Sequence, residues 1–209
     1  MRVAGKQKIF CIGLHKTGTT SLAAEMKGMN FVVGNQLQAT LLFDDWIKRD
    51  FTRLRKYCRT AQFFQDIPFC FPHTYIAIDQ FFPGSKYILT VRDNAEQWYN
   101  SLINFHTKYW GNGNMPPTPE DLKKADYIYR GFPYHVRMHV AKVPPEEPYK
   151  KDVLLKYYND HIENVKDYFR HRPEDLLVIN LSNDADYERF CAFVNRKPVK
   201  QSFIWRNKT

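Results

Sequence analysis

The chain has no apolar run near the roughly 18 residues that a membrane-spanning helix needs. Its N-terminus carries basic residues but only a short apolar stretch before His15 and Lys16, which is not the layout of a signal peptide. The four cysteines, Cys11, Cys58, Cys70 and Cys191, include no C-x-x-C pair, so the usual zinc spacing is missing. Cys11 and Cys191 lie in apolar patterns, and the set reads as reduced thiols. There is no internal repeat and no block of five or six like charges. The net charge is nevertheless +9, with Lys and Arg spread along the chain and only a loose cluster at Lys197, Lys200, Arg206 and Lys208. A basic balance of this kind fits an anionic small molecule more economically than nucleic acid or an anionic membrane. Together these absences lead to an expectation of a cytoplasmic protein with no membrane span and no nucleic-acid partner. At 209 residues it is expected to be one domain, 1–209.

The most informative stretch is Lys8–Leu22, K-I-F-C-I-G-L-H-K-T-G-T-T-S-L. The apolar run Ile9–Ile12 reads as a buried strand. It breaks at Gly13, turns through Gly18 and enters a helical pattern near Thr19. A strand, a Gly-bearing turn and a helix N-terminus make an anion site from backbone N–H groups and the helix dipole. The nearest general motif is G-x-x-x-x-G-K-[ST]. Gly13 and Gly18 keep its glycine spacing and Thr20 its hydroxyl, but Thr19 stands at the lysine position. The lysine is three residues earlier, at Lys16. A lysine on the turn itself reaches a shorter group than the β/γ-phosphates of a triphosphate.

Short apolar strands alternate with helical patterns along most of the chain. Strands are expected at Ile9–Ile12, Phe31–Val33, Ala61–Gln65, Lys86–Val91 and Leu176–Leu181. Helices are expected at Thr20–Gly28, Leu37–Tyr57, Thr74–Phe82, Ala95–His106, Asp152–Phe169 and Tyr187–Asn195. This alternation predicts an α/β fold: a mostly parallel sheet of about five strands with helices on both faces, in three layers. Ligands of such sheets bind at the carboxyl ends of the strands, which gathers the loop after Ile12, Asp66 and Arg92 on one edge. The segment 109–148 is rich in Pro, Gly and aromatics and weakly periodic, and it reads as a lid or acceptor-binding excursion.

Arg92 follows the strand K-Y-I-L-T-V, and Ser101 lies on the next helix with Trp98 one turn before it. A guanidinium and a hydroxyl in this arrangement can hold one phosphate. The alternative is that Arg92 pairs with Asp93 or Glu96 and Ser101 is ordinary helix surface.

The pattern G-x-x-K-[TS]-G-T-T at Gly13–Thr20 resembles the 5′-phosphosulfate loop of sulfotransferases. The stretch Arg92 to Ser101, with W-Y-x-S at Trp98–Ser101, is similar to their 3′-phosphate motif. It departs from that motif at Asn94, where proline is usual, and has one extra residue assigned to the turn at Asn94–Glu96. If that turn does not absorb the extra residue, Asn100 takes the role of Ser101. The resemblance implies a P-loop NTPase-like fold and the donor 3′-phosphoadenosine 5′-phosphosulfate (PAPS), with adenosine 3′,5′-bisphosphate as product and no metal required. Gly13, Lys16, Thr17, Gly18, Thr19, Thr20 and Ser21 would hold the 5′ group, and Arg92 and Ser101 the 3′-phosphate. Lys16 would stabilise the transferring sulfuryl. Asp66, in D-x-P, would be the general base; the alternative is that it caps the turn before Pro68. His15 is a further candidate that could instead face solvent, and His73, His106, His135 and His139 are weaker ones. C-A-F-V-N-R-K-P-V resembles the family's C-terminal helix and suggests Arg196 or Arg206 near the 3′-phosphate.

The acceptor is expected to be a small molecule or glycan bearing a hydroxyl or amine. Two other readings stay open at this point: an ATP-dependent P-loop small-molecule kinase, and a basic binding module without catalysis.

Overall fold

The structure is a computed structural model, which describes residues 3–204. Contacts divide it into two units. The first is built from the chain up to Arg92 and the chain from Ile162 onward, and the second from Asp93–His161.

The first unit is organised by four parallel strands, β1 (Ile9–Cys11), β2 (Phe63–Phe64), β3 (Lys86–Thr90) and β4 (Leu176–Ile179), in the order β2-β1-β3-β4. Side chains alternate across a strand, and here both faces are covered, so the strands read as continuous apolar runs. Phe10, Phe64, Tyr87 and Leu89 point to one face. They pack with Ala39 of α2 (Gln36–Thr40), Leu54 of α4 (Thr52–Tyr57), Ile78 of α5 (Thr74–Phe81) and Val165 of α9 (Lys151–Tyr168). Ile9, Cys11, Phe63, Ile88, Leu177 and Ile179 point to the other. They meet Leu22 and Met26 of α1 (Thr19–Gly28) and Tyr187, Phe190 and Cys191 of α10 (Ala185–Phe193). The α/β class and the parallel sheet with helices on both faces are therefore as the sequence predicts.

Among the described residues the sheet has four strands where about five are expected. Phe31–Val33 contributes only a single bridge, Val33 to Phe63. Its Val32 carbonyl accepts from both Gln62 and Phe63, and the chain then leaves at Gly34, where a Cβ would lie 2.5 Å from the Tyr57 hydroxyl. The single helix expected over Leu37–Tyr57 is three: α2, α3 (Phe43–Ile47) and α4. The last break follows Arg49, in the left-handed region at φ 59°. Asp50 there accepts the Thr52 N–H at 2.9 Å and turns the chain into α4.

The second unit contains α6 (Ala95–Trp110), α7 (Pro119–Lys124), α8 (Phe132–Val136) and the start of α9. The weakly periodic segment 109–148 thus holds the short helices α7 and α8. Thr118 caps α7 in a capping box with Asp121, and Pro119 occupies the first helical turn. Trp98 of α6 is fully buried against Tyr157 and Tyr158 of α9. No described helix is long and apolar enough to cross a membrane.

Candidate active site

At the carboxyl end of β1 the chain enters its loop under tight steric control. A Cβ on Gly13 would lie 2.0 Å from the Thr90 Oγ1 and 2.5 Å from the Thr90 carbonyl, so only glycine passes β3 here. Thr17 fastens the loop from below. Its hydroxyl donates to the Leu14 carbonyl at 2.5 Å and lies 2.6 Å from the Thr90 hydroxyl, and its N–H also turns back to Leu14. At Gly18, φ is 99°, and an added Cβ would come within 2.9 Å of Leu181. Gly18 is the N-cap of α1, whose ladder begins with the Leu22 N–H on the Gly18 carbonyl at 3.1 Å. The N–H groups of Thr19 and Thr20 precede that first bond, at the positive end of the helix dipole.

The charged groups collect beside this turn. Lys16 has φ 71°, and its carbonyl accepts from Arg92 Nε at 2.8 Å, which places the guanidinium on the loop backbone. Burial, with the Arg92 charge adding to it and the Asp66 carboxylate opposing both, leaves the Lys16 ammonium lowered to about 8. Two cations held this closely favour an anion between or above them.

Asp66 follows β2, with φ 60°. Its carboxylate accepts from the Ile67 N–H at 3.0 Å and lies 3.8 Å from the Cys70 Sγ. Burial pushes its pKa up; the Ile67 N–H, the Cys70 thiol and Lys16 pull the other way without cancelling the rise. A carboxyl raised toward neutrality is a better proton acceptor than an ordinary aspartate.

Within the first unit the structure therefore brings together Gly13, Lys16, Thr17, Gly18, Thr19, Thr20, Asp66 and Arg92. Thr17 is buried with its hydroxyl and N–H bonded inside the protein, so its local task is to hold the loop. Thr19 and Ser21 are buried and Thr20 is exposed. His15 is half-buried on the loop, and its backbone N–H faces the Cys70 sulfur. Arg196 lies over the Phe31 ring at 4.6 Å. Trp205, Arg206 and Asn207 fall outside the described residues.

In the second unit, Ser101 is buried on α6 and Asn100 is exposed. Asn94 is the N-cap of α6 and accepts the Gln97 N–H at 2.8 Å. Glu96 pairs with Lys151 at 2.8 Å. His106 Nδ1 is 2.7 Å from the Tyr149 hydroxyl, and His135 Nδ1 is 3.2 Å from that of Tyr129. His73 is the N-cap of α5 in the first unit.

Sequence reading missed Thr90 and Cys70. Thr90 had a signal, since it is the one aliphatic hydroxyl in the apolar run K-Y-I-L-T-V. Among the described residues no group of three or more His, Cys, Asp or Glu side chains is placed to hold a metal ion. The model of a protein family described as a sulfotransferase domain matches residues 8–209. No curated protein matches the chain.

Proposed function

From the premise that the chain belongs to the sulfotransferase-domain family, we propose that it moves a sulfuryl group from PAPS to a hydroxyl or amine of a small-molecule or glycan acceptor. The observation that carries this reading is the loop itself: Lys16 and Arg92 are joined through the Lys16 carbonyl, at the N-terminus of α1, beside the raised carboxyl of Asp66. The donor set suits the group. The loop carries Lys16 and backbone N–H groups, Arg92 is bonded to it from the end of β3, and Gly13 keeps a close approach to β3 that any side chain would block.

When bound, such a donor supplies a sulfuryl group on an anhydride that leaves adenosine 3′,5′-bisphosphate. Lys16 and the start of α1 would hold the 5′ side and stabilise charge where that bond breaks. Arg92 would add its cation to the nucleotide. Asp66 would take the acceptor proton as the new bond to sulfur forms, so the proton ends on the carboxylate and the electron pair on the leaving phosphate. The W-Y-x-S pattern assigns Ser101 to the 3′-phosphate, and that assignment rests on sequence.

The test is to incubate the protein with sulfur-labelled PAPS and a panel of alcohols, phenols, amines and sugars. Label should pass to an acceptor with matching release of adenosine 3′,5′-bisphosphate. Phosphorylated products formed from ATP and magnesium, with no sulfated ones, would overturn the reading in favour of a kinase.

A further inference from the structure

We propose that Cys70 is a positioning residue whose thiol donates to the Asp66 carboxylate and, with its sulfur facing the backbone N–H of His15, links the base to the phosphosulfate loop. This rests on the reading of Asp66 as the base. The backbone makes the link possible. Asp66 has φ 60°, and its carbonyl accepts the Cys70 N–H at 2.9 Å, closing a turn that folds residue 70 back over residue 66. The Sγ then lies 3.8 Å from Asp66 Oδ1, within reach for a sulfur donor. Cys70 is fully buried, and the His15 N–H comes from the loop that carries Lys16. One side chain therefore touches both halves of the site.

The chemistry suits a thiol. Burial, with the Asp66 charge adding to it, pushes the Cys70 pKa far up, so the sulfur keeps its proton at any working pH and remains a donor. A thiol donates weakly. It orients the carboxylate without anchoring it as firmly as a guanidinium would, and leaves its pKa raised. The groups facing Asp66 are Lys16 from the loop, Cys70 from the turn and Cys11 from β1. The Cys11 thiol is itself pushed up to about 12 by burial and stays neutral. Loss of the Cys70 donor therefore changes the field at Asp66 in one direction, toward a still higher pKa.

The experiment is a set of variants, Cys70→Ala, Cys70→Ser and Cys11→Ala, with Asp66→Asn beside them. Two readouts are taken: the pH profile of transfer, and titration of the Asp66 carboxyl by carbon-13 NMR. In Cys70→Ala the acid limb and the Asp66 titration should both move to higher pH. Its kcat should fall about ten-fold, while KM for PAPS stays within about two-fold. Cys70→Ser should fall between wild type and Cys70→Ala. Cys11→Ala, an equal loss of buried thiol, should leave the Asp66 titration where it was. An Asp66 titration unmoved in the Cys70 variants overturns the inference. If Cys70→Ala does not fold, Cys70→Ser decides by the same criterion. Retained turnover in Asp66→Asn would instead sink the base assignment. An inactive Asp66→Asn with unmoved Cys70 variants sinks the thiol link alone.

Discussion

Two aspartates of the first unit, Asp79 buried and Asp66 half-buried, are treated in opposite ways. Asp79 is met by the Tyr168 hydroxyl at 2.7 Å, the Tyr87 hydroxyl at 3.3 Å and both terminal nitrogens of Arg172 at 2.8 and 3.3 Å. Burial alone would raise its pKa, but the Arg172 and Tyr168 donors outweigh that and hold it below the usual carboxylate range. Asp66 receives one backbone N–H and a long thiol contact, and burial leaves it above that range. Surrounding a carboxylate with strong donors fixes it as a structural anion. Providing few donors leaves it able to take a proton. The difference separates a carboxylate that ties α5 to the end of α9 from one suited to chemistry beside Lys16.

Substitution at the two sites should therefore trade activity against stability. Asp66→Asn should lower transfer about 10³-fold and leave stability at neutral pH unchanged or higher, by thermal unfolding. The sign follows from the raised pKa: ionising Asp66 costs stability once pH passes the ordinary carboxylate value, and Asn removes that cost. A clear loss of stability would make Asp66 a structural acid like Asp79.

Lys16→Met should lower transfer by about 10²-fold. In the wild type, kcat/KM should decline above about pH 8 as Lys16 loses its charge, and Lys16→Arg should carry that limb to higher pH because a guanidinium stays charged. An alkaline limb that ignores Lys16→Arg would assign it to another group.

Asp79→Asn should cost about 2 kcal/mol at neutral pH, with the dissociation constant for adenosine 3′,5′-bisphosphate unchanged. Since its folded pKa is depressed, the wild-type stabilisation is present above the unfolded carboxylate value and disappears as pH falls through the folded one. Stability curves of wild type and Asp79→Asn should converge in acid. Tyr168→Phe, the mildest change, should cost about 1 kcal/mol in denaturant unfolding. A larger loss of transfer than of stability in either variant would erase the distinction between the two acids.

How far each region could be read from sequence follows the range of the interactions that build it. The strands were legible because residues buried on both faces leave apolar runs such as Lys86–Thr90. The loop was legible because Gly13 and Gly18 mark local backbone constraints. Leu37–Tyr57 reads as one helix in sequence because its apolar spacing continues through Arg49 and Asp50, where a left-handed residue and an aspartate turn break it. The start of α7 carried a readable signal at Thr118–Asp121, a cap followed by proline, that was lost among the prolines around it. The Asp79–Arg172 pair joins residues 93 apart in sequence and has no local signature. Cys70 lies only four residues from Asp66, but its contact depends on a positive φ at a non-glycine residue, which composition does not announce.

The most direct test of the central claim is thermal unfolding of the protein with adenosine 3′,5′-bisphosphate, run against ATP with magnesium. At ~100 times its dissociation constant the bisphosphate should add ~2.7 kcal/mol of stability, and Lys16→Met should reduce that gain. A shift with ATP and magnesium but none with the bisphosphate would contradict the account.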